Sequence, residues 1–246
     1  MDASDIAIAL CGIMLGGFLK GATGAGTPVV GVPILAIVFG VPKAVAIFSV
    51  LNLLSNAWQA WAYRRSAGRL RFVAIFAGAG ALGAAAGSVL LATLSTDVLM
   101  GALSAIVFAY IALRVARPEW HLVRARAEAA AGPVGLVGGL MQGAGGISAP
   151  VSVTYLNAMR LDRSEFIATI SIFFFMMSVL QIPALVALGV LTWDRTGLAL
   201  LAALPLFAAM PLGARAARSI SKETFDKLIL MLLAVVALRL GYSAVT

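Results

Sequence analysis

Hydrophobic residues fill this chain in long stretches, and polar residues are mostly confined to the short segments between them. A full membrane crossing needs about 20 apolar residues. Six stretches approach that length and predict transmembrane helices: 43–63, 72–94, 97–116, 165–188, 196–214 and 224–243. Two more apolar stretches, 6–39 and 129–159, are interrupted in the middle by glycine-rich sequence. Because arms of ~14 residues rise only about 21 Å at 1.5 Å per residue, we interpret each as a hairpin of two half-helices.

The two interrupted stretches are copies of each other. Residues 16–59 align without a gap on residues 138–181, at an offset of 122 residues. The first tip (residues 20–28) then falls on the second tip (residues 142–150). Irregular backbone at membrane depth is tolerated only where protein buries it or where it lines a cavity. Paired interruptions in two halves therefore point to the binding site of a transporter. Two full but short crossings per hairpin remain an alternative that leaves the topology unchanged.

Basic residues orient the chain. Fourteen of the 18 lysines and arginines fall in four clusters, at 64–71, 114–126, 160–163 and 215–227, which all face one side if the hairpins return to their own side. The positive-inside rule makes that side cytoplasmic. Both termini are then outside, and the net charge of +8 reflects topology rather than nucleic-acid binding.

These observations predict an all-α polytopic membrane protein made of two inverted repeats, each a broken, glycine-tipped hairpin plus three transmembrane helices. Each half holds an odd number of crossings, which inverts the second half relative to the first. The predicted organisation is a first membrane repeat at 1–116, a polar cytoplasmic linker at 117–128 and a second repeat at 129–246, all in one membrane domain. A small-xxx-small pair, Gly83 and Gly87, predicts close helix packing.

At each tip the chain re-enters a helix whose N-terminus suits an anion. Thr27 precedes Pro28, and Ser148 and Ala149 precede Pro150, which is the pattern of an N-cap followed by proline in the first turn. A helix N-terminus presents unpaired N–H groups and about half a positive charge. Two such ends that approach the midplane from opposite faces would hold one small anion between them. The competing interpretation is that the glycines only allow tight packing.

Lys20 is the one charged residue deep in apolar sequence, and an intramembrane lysine marks a functional site unless it snorkels to an interface. A polar stripe follows each hairpin, either lining the path to the tips or bonding neighbouring helices. The stripe is Ser49, Asn52, Asn56 and Gln59 in the first half and Ser171, Phe174, Ser178 and Gln181 in the second. The candidate substrate-binding residues are Lys20, Gly21, Thr23, Gly24, Gly26, Thr27, Asn52, Asn56, Gln59, Gln142, Gly143, Gly145, Gly146, Ser148 and Gln181.

Composition agrees with a membrane transporter and argues against an enzyme. The chain is 62% hydrophobic and 11% charged, with a mean hydropathy of +1.03. Every aspartate and glutamate lies at the end of an apolar stretch or in a loop, so a proton relay or a cation site has no embedded carboxylate. One cysteine and one histidine suggest no metal centre, and we expect no cofactor and no catalytic group.

The glycine-rich tips, each followed by a proline, an apolar arm and a polar stripe, resemble the TauE/SafE family of sulfite and organosulfonate exporters along essentially the whole chain. The resemblance implies an α-helical permease of the bacterial inner membrane for small anions such as sulfite or sulfoacetate, whose partners are that anion and the lipid bilayer. At Thr27 and at Ser148-Ala149 the tips carry less glycine than the family often shows, which bears on the substrate. An anion channel and a non-transporting structural membrane protein are the alternatives; substrate, coupling, direction and oligomeric state stay open.

Overall fold

The structure, a computed structural model, describes residues 2–25, 27–116, 121–219 and 222–243. All regular structure in those ranges is helical, as the hydrophobic pattern predicts. The helices are α1 (Ala3–Thr23), α2 (Thr27–Phe39), α3 (Val41–Ala62), α4 (Leu70–Thr93), α5 (Thr96–Ala116), α6 (Arg124–Gly145), α7 (Ala149–Ala158), α8 (Arg163–Ala187), α9 (Trp193–Ser219) and α10 (Lys222–Ser243). A 3₁₀ turn, Arg64–Ser66, joins α3 to α4. Of the predicted linker, residues 117–120 lie outside the described ranges and residues 124–128 open α6.

Six described helices are long and apolar enough to cross a membrane: α1, α3, α4, α5, α8 and α9. Five of these coincide with the predicted crossings. The remaining prediction, 224–243, falls on α10, in which the stretch Leu230–Tyr242 is apolar. Large apolar side chains on the outer surface, such as Leu82 (64% exposed) and Leu204 (71% exposed), have no protein to cover them. Such a surface is suited to lipid, and we describe the chain as a multi-pass membrane protein.

The hairpin arms are unequal, which corrects the prediction of two half-helices of ~14 residues each. The first arms, α1 and α6, have 21 and 22 residues, and the second arms, α2 and α7, have 13 and 10. At 1.5 Å per residue α1 is about 32 Å long, which is enough for a complete crossing. The glycines before each tip therefore do not break the helix. The break is confined to the residues that follow Thr23 and Gly145.

Close helix packing explains why those glycines stay helical. A methyl group on Gly21 would overlap the carbonyl oxygen of Met210 in α9, and one on Gly143 would overlap that of Ala84 in α4. Glycine lowers helix propensity by up to about 1 kcal/mol, and the close backbone contact with the neighbouring helix offsets that cost. Gly21 and Gly143 thus serve helix packing, and their predicted contact with an anion stays a prediction.

The same contact occurs in both halves. α1 runs parallel to α9, since Gly17 and Gly21 meet the carbonyl oxygens of Leu206 and Met210 in that order. α6 runs parallel to α4 in the same manner. The predicted packing face on α4 is confirmed, because methyl groups on Gly83 and Gly87 would overlap the carbonyl oxygens of Leu136 and Leu140. Each hairpin's long arm therefore packs on a helix of the other half.

The α4–α6 contact gives a stability prediction. A methyl group at Gly87 would also lie 2.9 Å from the backbone nitrogen of Ala144, where no flexible side chain can yield. We expect Gly87→Ala to destabilise the protein by about 1–3 kcal/mol, the usual cost of overpacking, and to lower its melting temperature in detergent. Gly78→Ala is the matched control on the same helix, because no atom lies within 4 Å of its added methyl group. The control should keep or slightly raise the melting temperature; equal losses in both variants would contradict this account.

Candidate functional site

The first tip is a left-handed turn that the hydroxyl group of Thr23 stabilises. α1 ends where Gly24 adopts φ 78°, a conformation that favours glycine, and its N–H donates to the carbonyl oxygen of Lys20 at 2.8 Å. The Thr23 hydroxyl donates to the carbonyl oxygen of Leu19 at 2.8 Å and accepts from the N–H of Ala25 at 3.2 Å. Thr23 and Gly24 therefore shape the turn.

Of three other predicted tip residues, the structure describes Gly145 fully, Thr27 only in its backbone and Gly26 not at all. Gly26 lies outside the described residues, and so does the side chain of Thr27, although its backbone begins α2. Their predicted contacts with an anion stay predictions. Gly145 is the last residue of α6, and a methyl group there would lie 3.4 Å from the Cδ1 of Ile106 in α5.

The second tip repeats the turn of the first. Gly146 adopts φ 74°, and its N–H donates to the carbonyl oxygen of Gln142 at 2.8 Å. Gly146 and Gln142 lie 122 residues after Gly24 and Lys20, which is the offset of the sequence repeat. The Ser148 hydroxyl lies 3.0 Å from that of Ser152 and caps no backbone N–H of α7.

The N-terminus of α7 leaves hydrogen-bond donors unused. The backbone N–H groups of Ile147, Ser148 and Ala149 donate to no acceptor in the part of the chain that the structure describes. Each of these residues is only 1% exposed. Buried N–H groups are rarely left without a partner, so these three donors are suited to an anion or to water.

Lys20 is buried and contacts the polar stripe of α3. Its side chain is 1% exposed, and its Nζ donates to the Oδ1 of Asn56 at 2.7 Å. The Nδ2 of Asn56 in turn donates to the carbonyl oxygen of Asn52 at 2.8 Å, while the Oδ1 of Asn52 is buried without a partner. Lys20 makes no ion pair with any described carboxylate, so its ammonium group is compensated by amide dipoles alone. The competing interpretation, a lysine that snorkels to an interface, does not fit this burial.

Of the two stripe glutamines, Gln59 lies near the first tip and Gln181 near the second. Gln59 accepts a 3.1 Å hydrogen bond from the hydroxyl of Ser171 in α8, next to the Lys20 contact. Gln181 lies at the other tip, where its Nε2 is 3.5 Å from the carbonyl oxygen of Gln142. The Oε1 atoms of Gln142 and Gln181 are both buried and unpartnered. We name Lys20, Asn52, Asn56, Gln59 and Ser171 the first polar cluster, and Gln142, Gln181 and the N-terminus of α7 the second polar cluster.

The two tips contact different parts of α3 and of α8. The first tip contacts α3 at Asn56 and α8 at Ile167, whereas the second contacts α3 at Val45 and α8 at Gln181. Val45 and Asn56 are separated by about 16 Å along the helix axis, at 1.5 Å per residue. The structure thus has two polar clusters, one beside each tip. The prediction that one anion lies between both tips at the midplane stays a prediction.

Sequence reasoning missed two polar residues in the N-terminal part of α8. The Thr169 hydroxyl in α8 is buried without a partner. Arg163, read from the sequence only as a topology charge, donates from its Nη2 to the carbonyl oxygen of Ala22 at 3.3 Å. The sequence did offer a signal. Arg163 stands immediately before a predicted crossing, and the repeat aligns it with an aliphatic residue, Val41. Among the described residues, no group of three or more histidine, cysteine, aspartate or glutamate side chains is placed to hold a metal ion.

Comparison with known proteins identifies the family. A model of the family described as Sulfite exporter TauE/SafE matches residues 8–240, which is nearly the whole chain. Searches of curated proteins and of solved structures each found no significant match. The family match agrees with the multi-pass helical fold and with the paired glycine-tipped hairpins described above. The chain therefore belongs to the TauE/SafE sulfite exporter family of membrane permeases.

Proposed function

We propose that this protein carries a small oxyanion, sulfite or an organosulfonate such as sulfoacetate, outward across the bacterial inner membrane. The observation that carries the proposal is the buried Lys20 ammonium group, which no described carboxylate neutralises. A buried charge without a counter-charge is costly, and an anionic substrate would supply the missing partner. Membership of the TauE/SafE sulfite exporter family supports transport of a small anion.

We assign the two polar clusters to successive positions of the anion. The first offers one full positive charge, from Lys20, together with the amides of Asn56 and Gln59. The second is uncharged and offers the free N–H groups of α7 with the amides of Gln142 and Gln181. Asn52, with its unpartnered Oδ1, lies one turn from Asn56 in the direction of the second cluster. Because a neutral second position binds the anion less tightly than a charged first one, it favours release after transfer.

An inverted repeat is the arrangement that we propose for the two halves. α3 and α8 are equivalent under the 122-residue offset, and the tips contact them in opposite order. The first tip meets the C-terminal part of α3 and the N-terminal part of α8. The second tip meets the N-terminal part of α3 and the C-terminal part of α8. Equivalent helices that run antiparallel support inversion. Such folds support transport by rocking one repeat against the other about the substrate.

The proposal is tested with purified protein in liposomes. We expect saturable flux of sulfite or sulfoacetate, and thermal stabilisation by the same anion in detergent, with sulfate, taurine and acetate as comparison solutes. One positive charge at the first cluster predicts that, of the two inorganic oxyanions, sulfite in its monoanionic form binds better than the dianion sulfate. Flux that never saturates would indicate a channel, and the absence of flux for every anion would support a structural role instead.

A further inference from the structure

We propose that Arg163 is the residue that receives the anion at the arginine-rich face and delivers it to Lys20. The inference rests on the proposed function, and it assigns a specificity role to a residue outside both polar clusters. It concerns the step before binding at Lys20, since a side chain that is 1% exposed cannot itself collect a solute from water.

Arg163 lies directly beside the first tip. Its Nη2 donates at 3.3 Å to the carbonyl oxygen of Ala22, which belongs to the last turn of α1. One turn further along α8, Ile167 lies against Gly24. The α8 N-terminus and the first tip are thus in contact, with Lys20 one turn of α1 behind the tip. A guanidinium group has five donors in a planar fork, and only one contact is used here, so the others remain for an oxyanion.

Two arginines on the same face, Arg69 and Arg124, are neutralised by acids. Arg124 is held by Glu128 at 3.1 Å and by Glu165 at 3.0 Å, and Arg69 by Glu128 at 3.1 Å. The hydrogen bond from Arg124 keeps the pKa of Glu128 below its usual value, so this network stays ionised at neutral pH. Arg163 forms no ion pair with any described carboxylate.

Inside-out membrane vesicles test the proposal, because their outer surface is the cytoplasmic face. Initial rates of sulfite uptake are measured at increasing sulfite concentration. Arg163→Gln should raise the KM roughly tenfold, the loss expected for one charge-assisted contact, and should retain the maximal rate. Arg163→Lys should raise it less, because the charge remains and the fork is lost. Arg160→Asn is the matched control: it removes a charge three residues away and suits the left-handed backbone there (φ 50°), so its KM should equal that of the wild type.

An unchanged KM in Arg163→Gln, alongside saturable wild-type uptake, overturns the inference and leaves the proposed function standing. Absence of saturable wild-type uptake overturns both.

Discussion

Replacing Lys20 with methionine should abolish most sulfite binding while the protein still folds. The substitution removes the one full positive charge of the first polar cluster and keeps the length and apolar character of the side chain. A hydrogen bond to a charged partner contributes about 1.5–3 kcal/mol, so we expect affinity to fall roughly ten- to a hundredfold. Titration of sulfite against the thermal stability of the purified protein measures the loss. Without ligand, the melting temperature should hold or rise, because the burial cost of an ammonium group has been removed.

Two further variants separate the charge from its surroundings. Lys43→Met is the matched control, since Lys43 stands in the first turn of α3 above the ring of Phe39, and no described hydrogen bond joins it to either cluster. Its sulfite affinity should equal that of the wild type. Asn56→Asp places a carboxylate where the Oδ1 now accepts from Lys20 at 2.7 Å, giving the ammonium group an internal partner. Sulfite should then bind as poorly as in Lys20→Met. Wild-type affinity in either Lys20→Met or Asn56→Asp would show that Lys20 does not bind the anion.

Membrane potential should drive sulfite efflux strongly, and a pH gradient alone should change it little. No carboxylate or histidine lies in the middle of an apolar stretch, so the chain offers no obvious carrier for a coupled proton. A monoanion that leaves a compartment at 100 mV, negative inside, gains about 2.3 kcal/mol, which corresponds to an equilibrium ratio of roughly fiftyfold. The measurement is efflux from proteoliposomes loaded with sulfite, with the potential set by potassium and valinomycin.

The efflux measurement under a pH gradient needs a control for the protonation of sulfite itself. Sulfite exists as monoanion and dianion near neutral pH, so a change of pH alters the substrate as well as any proton coupling. A sulfonate that carries no proton in this range removes the ambiguity and should show the same dependence on potential. Efflux that follows the pH gradient and ignores the potential would mean that a proton travels with the anion.

Several features of this protein follow from its sequence because they depend on local pattern or on composition. Long apolar stretches with charges between them predict membrane helices wherever they occur, since unsatisfied backbone groups are costly in lipid. The offset of 122 residues located both tips, and the left-handed turns at Gly24 and Gly146 occur at equivalent positions. Helical spacing predicted the polar stripe of α3, and the structure brings Asn56 of that stripe into contact with Lys20.

Other features depend on which helices become neighbours, which a sequence without its fold does not specify. Gly21 was part of the predicted break, yet it continues α1 because the backbone of α9 fills the space beside it. The residues of α3 that the two tips contact, Asn56 and Val45, are about 16 Å apart along that helix. In the same way, Arg163 differs from Arg124 only because Glu128 and Glu165 happen to lie beside one and not the other. The sequence by itself thus determined the membrane class, the family resemblance and the position of each tip. The tertiary structure alone decided where the tips stand relative to each other and which charges remain free, because both depend on packing between segments far apart in the chain.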